Sequence, residues 1–164
     1  TRSSRFLCQK IIKQIDFGAS KYLVELGAGD GVITHHILKK MRPDAKLLVF
    51  EVNENFVEKL NAIQDERLIV VQDSAEKLEQ YLKINDFSSV DHIVSALPFT
   101  IIPDDVTSSI VNACEKNLKE NGLYLQVHYS LAEKKTYKNA FGNVKINFVP
   151  LNIPPAFVLQ SIKK

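Results

Sequence analysis

The sequence predicts an α/β protein with a doubly wound, mostly parallel seven-stranded sheet and an antiparallel C-terminal strand. Three observations carry this. Strand-sized apolar runs alternate with segments of helical period, a glycine-rich turn follows the first run, and no linker, repeat or low-complexity stretch interrupts the alternation. In such sheets ligands gather outside the carboxyl ends of the strands.

The elements follow in order. A helix is expected over Ser4 to Ile15, where Leu7, Cys8, Ile11, Ile12 and Ile15 share one face while Arg5, Lys10 and Lys13 fall elsewhere, with Gly18 closing it. Tyr22 to Leu26 reads as a buried strand and Gly27 to Gly31 as a tight turn. The next helix carries Ile33, Ile37 and Met41 at spacing four. Strand Lys46 to Val52 precedes helix Glu54 to Ile63, and strand Leu68 to Val71 precedes helix Ala75 to Leu82. Val90 to Leu97 forms the fourth strand. Pro103 and Asp104 open a helix striped by Val106, Ile110, Val111, Cys114 and Leu118, and Asn121-Gly122 is expected to end it. Strand Leu123 to His128, a polar helix near Ala132 to Ala140, and strands Asn143 to Val149 and Ala156 to Ile162 complete the chain.

Composition sets the outer bounds. The chain has 164 residues, 45% apolar and 24% charged, with 6 Gly and 6 Pro, which fits one domain over residues 1–164 and excludes disorder and collagen. Its apolar runs, such as Leu47 to Phe50, fall far short of the roughly 20 residues that cross a bilayer. The single methionine is Met41, so the chain begins at Thr1 without an initiator and a natural N-terminal segment is expected to be missing. Cys8 and Cys114 lie far apart without Cys-x-x-Cys spacing, which points to free thiols in the reducing cytoplasm. Five basic groups against Asp16 in residues 1–21, and six against Glu133 in residues 131–164, give the ends +9 and leave the centre −7. Solvated lysines explain this first, an anionic partner second. His35 and His36 have no partner at metal-ligand spacing, so no metal is expected.

The run Glu25-Leu26-Gly27-Ala28-Gly29-Asp30-Gly31 places glycines where a backbone leaves a strand sharply and must leave room for a ligand. A dinucleotide fingerprint would want its third glycine at position 32, which is Val32, so a nicotinamide cofactor is disfavoured. Glu51 lies about twenty residues on, near the end of the second strand, where an acid can accept both ribose hydroxyls. Asp73, after the third strand, could receive an adenine amino group. The alternative makes both acids helix caps.

On these residues the sequence resembles the class I S-adenosylmethionine-dependent methyltransferases, with their Rossmann-like fold, over nearly its whole length. The resemblance implies S-adenosyl-L-methionine as cofactor. It assigns Glu25, Gly27, Ala28, Gly29, Asp30 and Gly31 to the methionine part and the loop, Glu51 to the ribose, Asp73 with Ser74 to the adenine, and includes Val52 and Ser95 among the cofactor-binding residues.

The segment Ser95-Ala96-Leu97-Pro98-Phe99 is similar to the Asn-x-Pro-Tyr/Phe motif of adenine-amino methyltransferases, including the ribosomal RNA adenine dimethylases. Here Ala96 stands where that motif has Asn, and a methyl accepts no hydrogen bond from a target amine. A nearer resemblance is to the bacterial phospholipid N-methyltransferases, whose members carry a Ser-Gly/Ala-Leu-Pro segment. Thr1 to Leu7, Gln126 to Ser130 and Asn152 to Ala156 agree, with Arg2 where that family has Pro. The resemblance implies methylation of a membrane phospholipid such as phosphatidylethanolamine, by an enzyme in the cytoplasm or peripheral to the inner membrane. Nucleic acid ranks second, and the oligomeric state stays open.

Methyl transfer needs a neutral, aligned amine. His128 or Tyr129, at the end of strand five, could take its proton, or could merely end the strand and pack. Leu97, Pro98 and Phe99 would line the acceptor side, with Phe99 either stabilising the growing charge through its ring or belonging to the core. Lys134, Lys135 and Lys138 are read as solvated before they are read as contacts to lipid phosphate.

Overall fold

The computed structural model describes residues 3–164, so Thr1 and Arg2 of the N-terminal resemblance lie outside the described residues. The strands are β1 Tyr22–Leu26, β2 Lys46–Phe50, β3 Leu68–Val71, β4 Val90–Ser95, β5 Leu118–His128, β6 Lys145–Val149 and β7 Ala156–Ile162. They form one sheet in the order β3-β2-β1-β4-β5-β7-β6. β1 to β5 run parallel and the C-terminal strand β7 is antiparallel, as the sequence predicts; it lies between β5 and β6.

Alternation along the strands supplies two cores. Leu23, Leu47 and Val49 face helices α1 Arg5–Ile12, α2 Val32–Lys40 and α3 Glu54–Asn61, which contribute Leu7, Ile11, Ile33, Ile37 and Leu60. Val24, Leu26, Leu48 and Phe50 face the opposite way, against Leu78, Ile110, Val111 and Tyr137 of α4 Leu78–Ile84, α5 Asp104–Asn117 and α6 Lys134–Phe141. Local chemistry closes the helix ends. The Ser4 hydroxyl accepts from the Leu7 N–H and starts α1, and the Arg67 guanidinium donates to the carbonyls of Leu38 and Met41 at the end of α2, both at 2.8 Å.

Several boundaries differ from expectation. α1 stops at Ile12, and Gly18 sits in a 3-10 turn, Phe17–Ala19, that Asp16 caps. β2 ends at Phe50 and β4 at Ser95, which leaves Glu51, Val52, Ala96 and Leu97 in the connections at the carboxyl edge. Ala75–Lys77 forms a 3-10 turn before α4. α6 starts at Lys134 and β6 at Lys145.

The largest correction concerns Asn121-Gly122. α5 ends at Asn117 and passes directly into β5, and this pair lies inside the strand, where the pairing with β4 jumps from Val90↔Leu118 to His92↔Leu123. Asn121 takes φ 67°, and a Cβ on Gly122 would lie 2.7 Å from the Asp91 carbonyl oxygen. The glycine lets β5 pass β4 at the irregularity.

Candidate active site

The sheet order reverses between β1 and β4, so the connections leaving these strands diverge to opposite faces and open a crevice at the carboxyl edge. A cavity of about 870 Å³ occupies it, within the range of ligand sites. One wall comes from the β1–α2 turn and the ends of β2 and β3, the other from the β4–α5 connection and the end of β5.

On the first wall, Gly27 turns the chain at φ 71° and its N–H donates to the Phe50 carbonyl at 2.8 Å. Its Cα lies so near the β4–α5 connection that a Cβ would sit 3.0 Å from Leu97 Cδ2. Gly29, Ala28 and Asp30 line the cavity, and a Cβ on Gly29 would meet no protein atom within 4 Å, so that position faces open space. The Glu51 carboxylate points to the turn: Oε1 accepts from the Gly29 N–H at 2.7 Å and Oε2 from the Asn53 N–H at 2.9 Å. Each oxygen keeps a lone pair for a hydroxyl in the cavity. Asp73 also lines the cavity. Its oxygens accept from the Tyr81 hydroxyl and the Ser74 N–H, both at 2.7 Å, and chiefly the Tyr81 bond holds its pKa below the usual carboxylate range. Val52 contributes an exposed side chain to the same wall.

Three residues assigned to this wall stand back from it. Glu25 is fully buried, Oε1 accepting from the Thr34 hydroxyl at 2.5 Å and Oε2 having no partner. Burial pushes its pKa up to about 8, and neighbouring Glu51 adds to the rise. Gly31 precedes α2 and packs against Leu60 of α3. Ser74 spends its oxygen on the Glu76 N–H as the cap of the 3-10 turn.

On the second wall Ala96, Leu97, Pro98 and Thr100 line the cavity, with Val127, His128, Tyr129 and Ser130 beside them. Phe99 does not: it is 1% exposed and lies in the core with Ile110 and Tyr124, because the chain turns so tightly here that the Phe99 N–H donates to the Leu97 carbonyl. The ring assigned to a growing charge is thus a core residue. Ser95 is buried too, its hydroxyl accepting from the Leu97 N–H at 3.3 Å. A bracing chain that the sequence reading missed runs from the Tyr124 hydroxyl to Gln126 Oε1, and from Gln126 Nε2 to the Leu97 carbonyl at 3.1 Å.

His128 lines the cavity and its Nε2 lies 2.5 Å from the Tyr137 hydroxyl. Burial raises the pKa of Tyr137 and keeps it protonated, so we assign the phenol as donor, Nε2 as acceptor and the imidazole proton to Nδ1. Burial also lowers the His128 pKa to about 4, so this ring is neutral and a weak base. The sequence signal for Tyr137 was its i, i+4 pairing with Phe141 on the buried face of α6. Tyr129 is 43% exposed at the cavity mouth and interacts with Asn152.

These residues fit a nucleoside sulfonium on its polar side: an acid aimed at the turn, a turn with an open position at Gly29, and a second acid further along the wall. Comparisons with known proteins agree. The family model for ribosomal RNA adenine dimethylase matches residues 3–145. An ornithine lipid N-methyltransferase of Singulisphaera acidiphila is 28% identical over 157 residues, 94% of this chain and 82% of that protein. Ribosomal RNA small subunit methyltransferase A of Thermotoga neapolitana is 27% identical over 95 residues, 58% of this chain and 34% of the relative. The fold matches the 16S rRNA N2 G1207 methyltransferase of T. thermophilus, solved in complex with S-adenosylmethionine and guanosine, at a TM-score of 0.69 and 19% identity, over 96% of this chain and 42% of that one.

Proposed function

The chain belongs to the ribosomal RNA adenine dimethylase family and is an S-adenosylmethionine-dependent methyltransferase, and from that premise we propose that its acceptor is the amine of a membrane lipid. When bound, S-adenosylmethionine supplies an electrophilic methyl for in-line displacement. Glu51 and Asp73 would hold its sugar and base, and the Gly27–Asp30 turn would follow its amino-acid part.

The observation that carries the acceptor reading is that the β4–α5 connection offers no side-chain amide and no free carbonyl at Leu97 or Pro98. An adenine amino group delocalises its lone pair into the ring, so attack through that nitrogen requires hydrogen-bond acceptors that draw its protons aside. Ala96 offers none. The Leu97 carbonyl already accepts from Phe99 N–H and Gln126 Nε2, and the Pro98 carbonyl from the N–H groups of Ile101 and Ile102, so both oxygens are filled. An aliphatic amine carries a localised lone pair and needs only to be neutral and aligned. The apolar surface of Ala96, Leu97 and Pro98 suits it, and the amine would give up its proton to the buffered solvent before it seats, since burial holds His128 a weak base. The relative that methylates ornithine lipid, alignable along 94% of the chain, supports the same reading.

The family model and the ribosomal RNA relative favour a second reading, an adenine amino group in RNA. Incubation with labelled cofactor and, in parallel, vesicles of phosphatidylethanolamine, vesicles of ornithine lipid, and a structured 16S rRNA transcript separates the two. Label in either lipid is the expected outcome. Label confined to RNA overturns the proposal, and Ala96→Asn should then raise RNA methylation while leaving lipid methylation unimproved.

A further inference from the structure

Single exposed apolar side chains are ordinary, but clusters that ring a cavity are not. Val52 follows β2, Ile101 follows β4, Tyr129 and Leu131 follow β5, and Leu151 and Ile153 lie in the β6–β7 turn; all six are exposed. β6 runs parallel to β5 and β7 returns antiparallel, so their turn joins the other three connections at the carboxyl edge of the sheet. Ile101 and Ile153 are 81% and 85% exposed, although neither touches the cavity itself.

The presentation is built into the fold. Between Leu151 and Ile153, Asn152 is fully buried; its Oδ1 accepts from the Ser4 N–H and its Nδ2 donates to the Pro154 carbonyl, both at 2.8 Å. Its neighbours are thereby turned outward. The same bond brings the start of α1, with exposed Phe6 and the Arg5 guanidinium 5.0 Å over its ring, to this edge.

Charge identifies the occupant. Helix N-termini favour acids, yet α1 begins with Arg5 and α6 with Lys134 and Lys135, and neither has an acid in its first turn. Glu133 precedes α6, and Glu54 at the start of α3 and Asp104 with Asp105 at the start of α5 follow the usual preference. Two helix starts at the apolar edge therefore set their basic groups against their own dipoles, an arrangement that an external anionic surface compensates.

We infer that this carboxyl edge docks on an anionic lipid bilayer, inserting the apolar rim and setting Arg5, Lys134 and Lys135 at the headgroup level, so that the mouth of the cavity opens onto the membrane. The inference rests on the lipid-amine reading and names how that substrate is reached. Flotation on phosphatidylcholine vesicles with and without phosphatidylglycerol tests it on the protein, on an Ile101→Ser, Ile153→Ser double variant and on a Lys134→Glu, Lys135→Glu double variant. The unaltered protein should float with phosphatidylglycerol present, and each double variant should bind about tenfold more weakly. All three should bind S-adenosylmethionine equally by calorimetry and methylate a short-chain aminolipid dissolved as monomers at equal rates. Variants that float as the unaltered protein does, an unaltered protein that does not float, or rim variants that lose an rRNA transcript and keep the vesicles would overturn it. Flotation without label in any lipid sinks the acceptor reading and leaves the surface standing. Label in the dissolved aminolipid without flotation does the reverse.

Discussion

Glu25, next to last in β1, has one carboxylate oxygen held by Thr34 and the other facing no partner, so the folded chain keeps it protonated up to about pH 8. An unfolded carboxyl ionises near pH 4.5, and between these values folding retains a proton that unfolding releases. Stability contributed by Glu25 is therefore whole below pH 4.5 and is lost as pH rises to about 8. His128 and His92, both pushed by burial to about pH 4, act with the opposite sign, their contribution being whole above pH 6.5 and lost on acidification. Only Glu25 among the three titrates between pH 6.5 and 8. Urea unfolding across that interval should show a declining midpoint that Glu25→Gln flattens; an equal decline in the variant would refute the assignment. The motif revealed Glu25, but its burial depends on Thr34, which no local pattern marks. Phe99 was ambiguous for a like reason: the tight turn at Leu97 decides which of Ala96, Phe99 and Thr100 meets the cavity, and that turn is set by Gln126, a residue of another strand.

At the scale of the β1–α2 turn, two of its three glycines with positive φ, Gly27 and Gly29, have different reasons for being glycine. A methyl on Gly27 strains the backbone and strikes Leu97. On Gly29 it only strains the backbone, at φ 58°, and enters empty cavity. Gly27→Ala should lower stability by about 2 kcal/mol or more, Gly29→Ala by about 1 kcal/mol. Both should weaken S-adenosylmethionine, and thermal denaturation with and without the cofactor separates the two costs. If Gly29→Ala proves the more damaging to the free protein, the turn is packed differently. Among the described residues, strand-sized apolar runs disclosed the seven strands and the 3.6-residue period the six α-helices, because the strands are buried between helix layers and each helix buries one face. Their ends were less legible. Asn121-Gly122 carries the residues of a helix stop, yet it serves a register jump against β4, and the crowding that demands glycine comes from Asp91 and Lys119. A signal of that kind is non-local and does not distinguish a cap from a bulge.

Across the whole molecule the last strand in sequence is an interior strand in space. β7 holds β5 on one side and β6 on the other, and buries Val158 and Leu159 in the two separate cores. Deleting residues 156–164 would leave β5 with an unpaired edge and β6 without a neighbour, so the shortened chain should lose cooperative unfolding, as circular dichroism melting would record. A sharp transition near that of the full chain would show that β1 to β5 suffice. Among the described residues no helix is long and apolar enough to cross a membrane.

The bracing of Leu97 by Gln126, itself held by Tyr124, sets the acceptor wall from β5, whereas Glu51 and Asp73 belong to the first half of the chain. Heredity can therefore edit the two halves separately. Substitution at Tyr124 or Gln126 would re-aim the Leu97 carbonyl beside Ala96 without touching the bond by which Glu51 holds the β1–α2 turn.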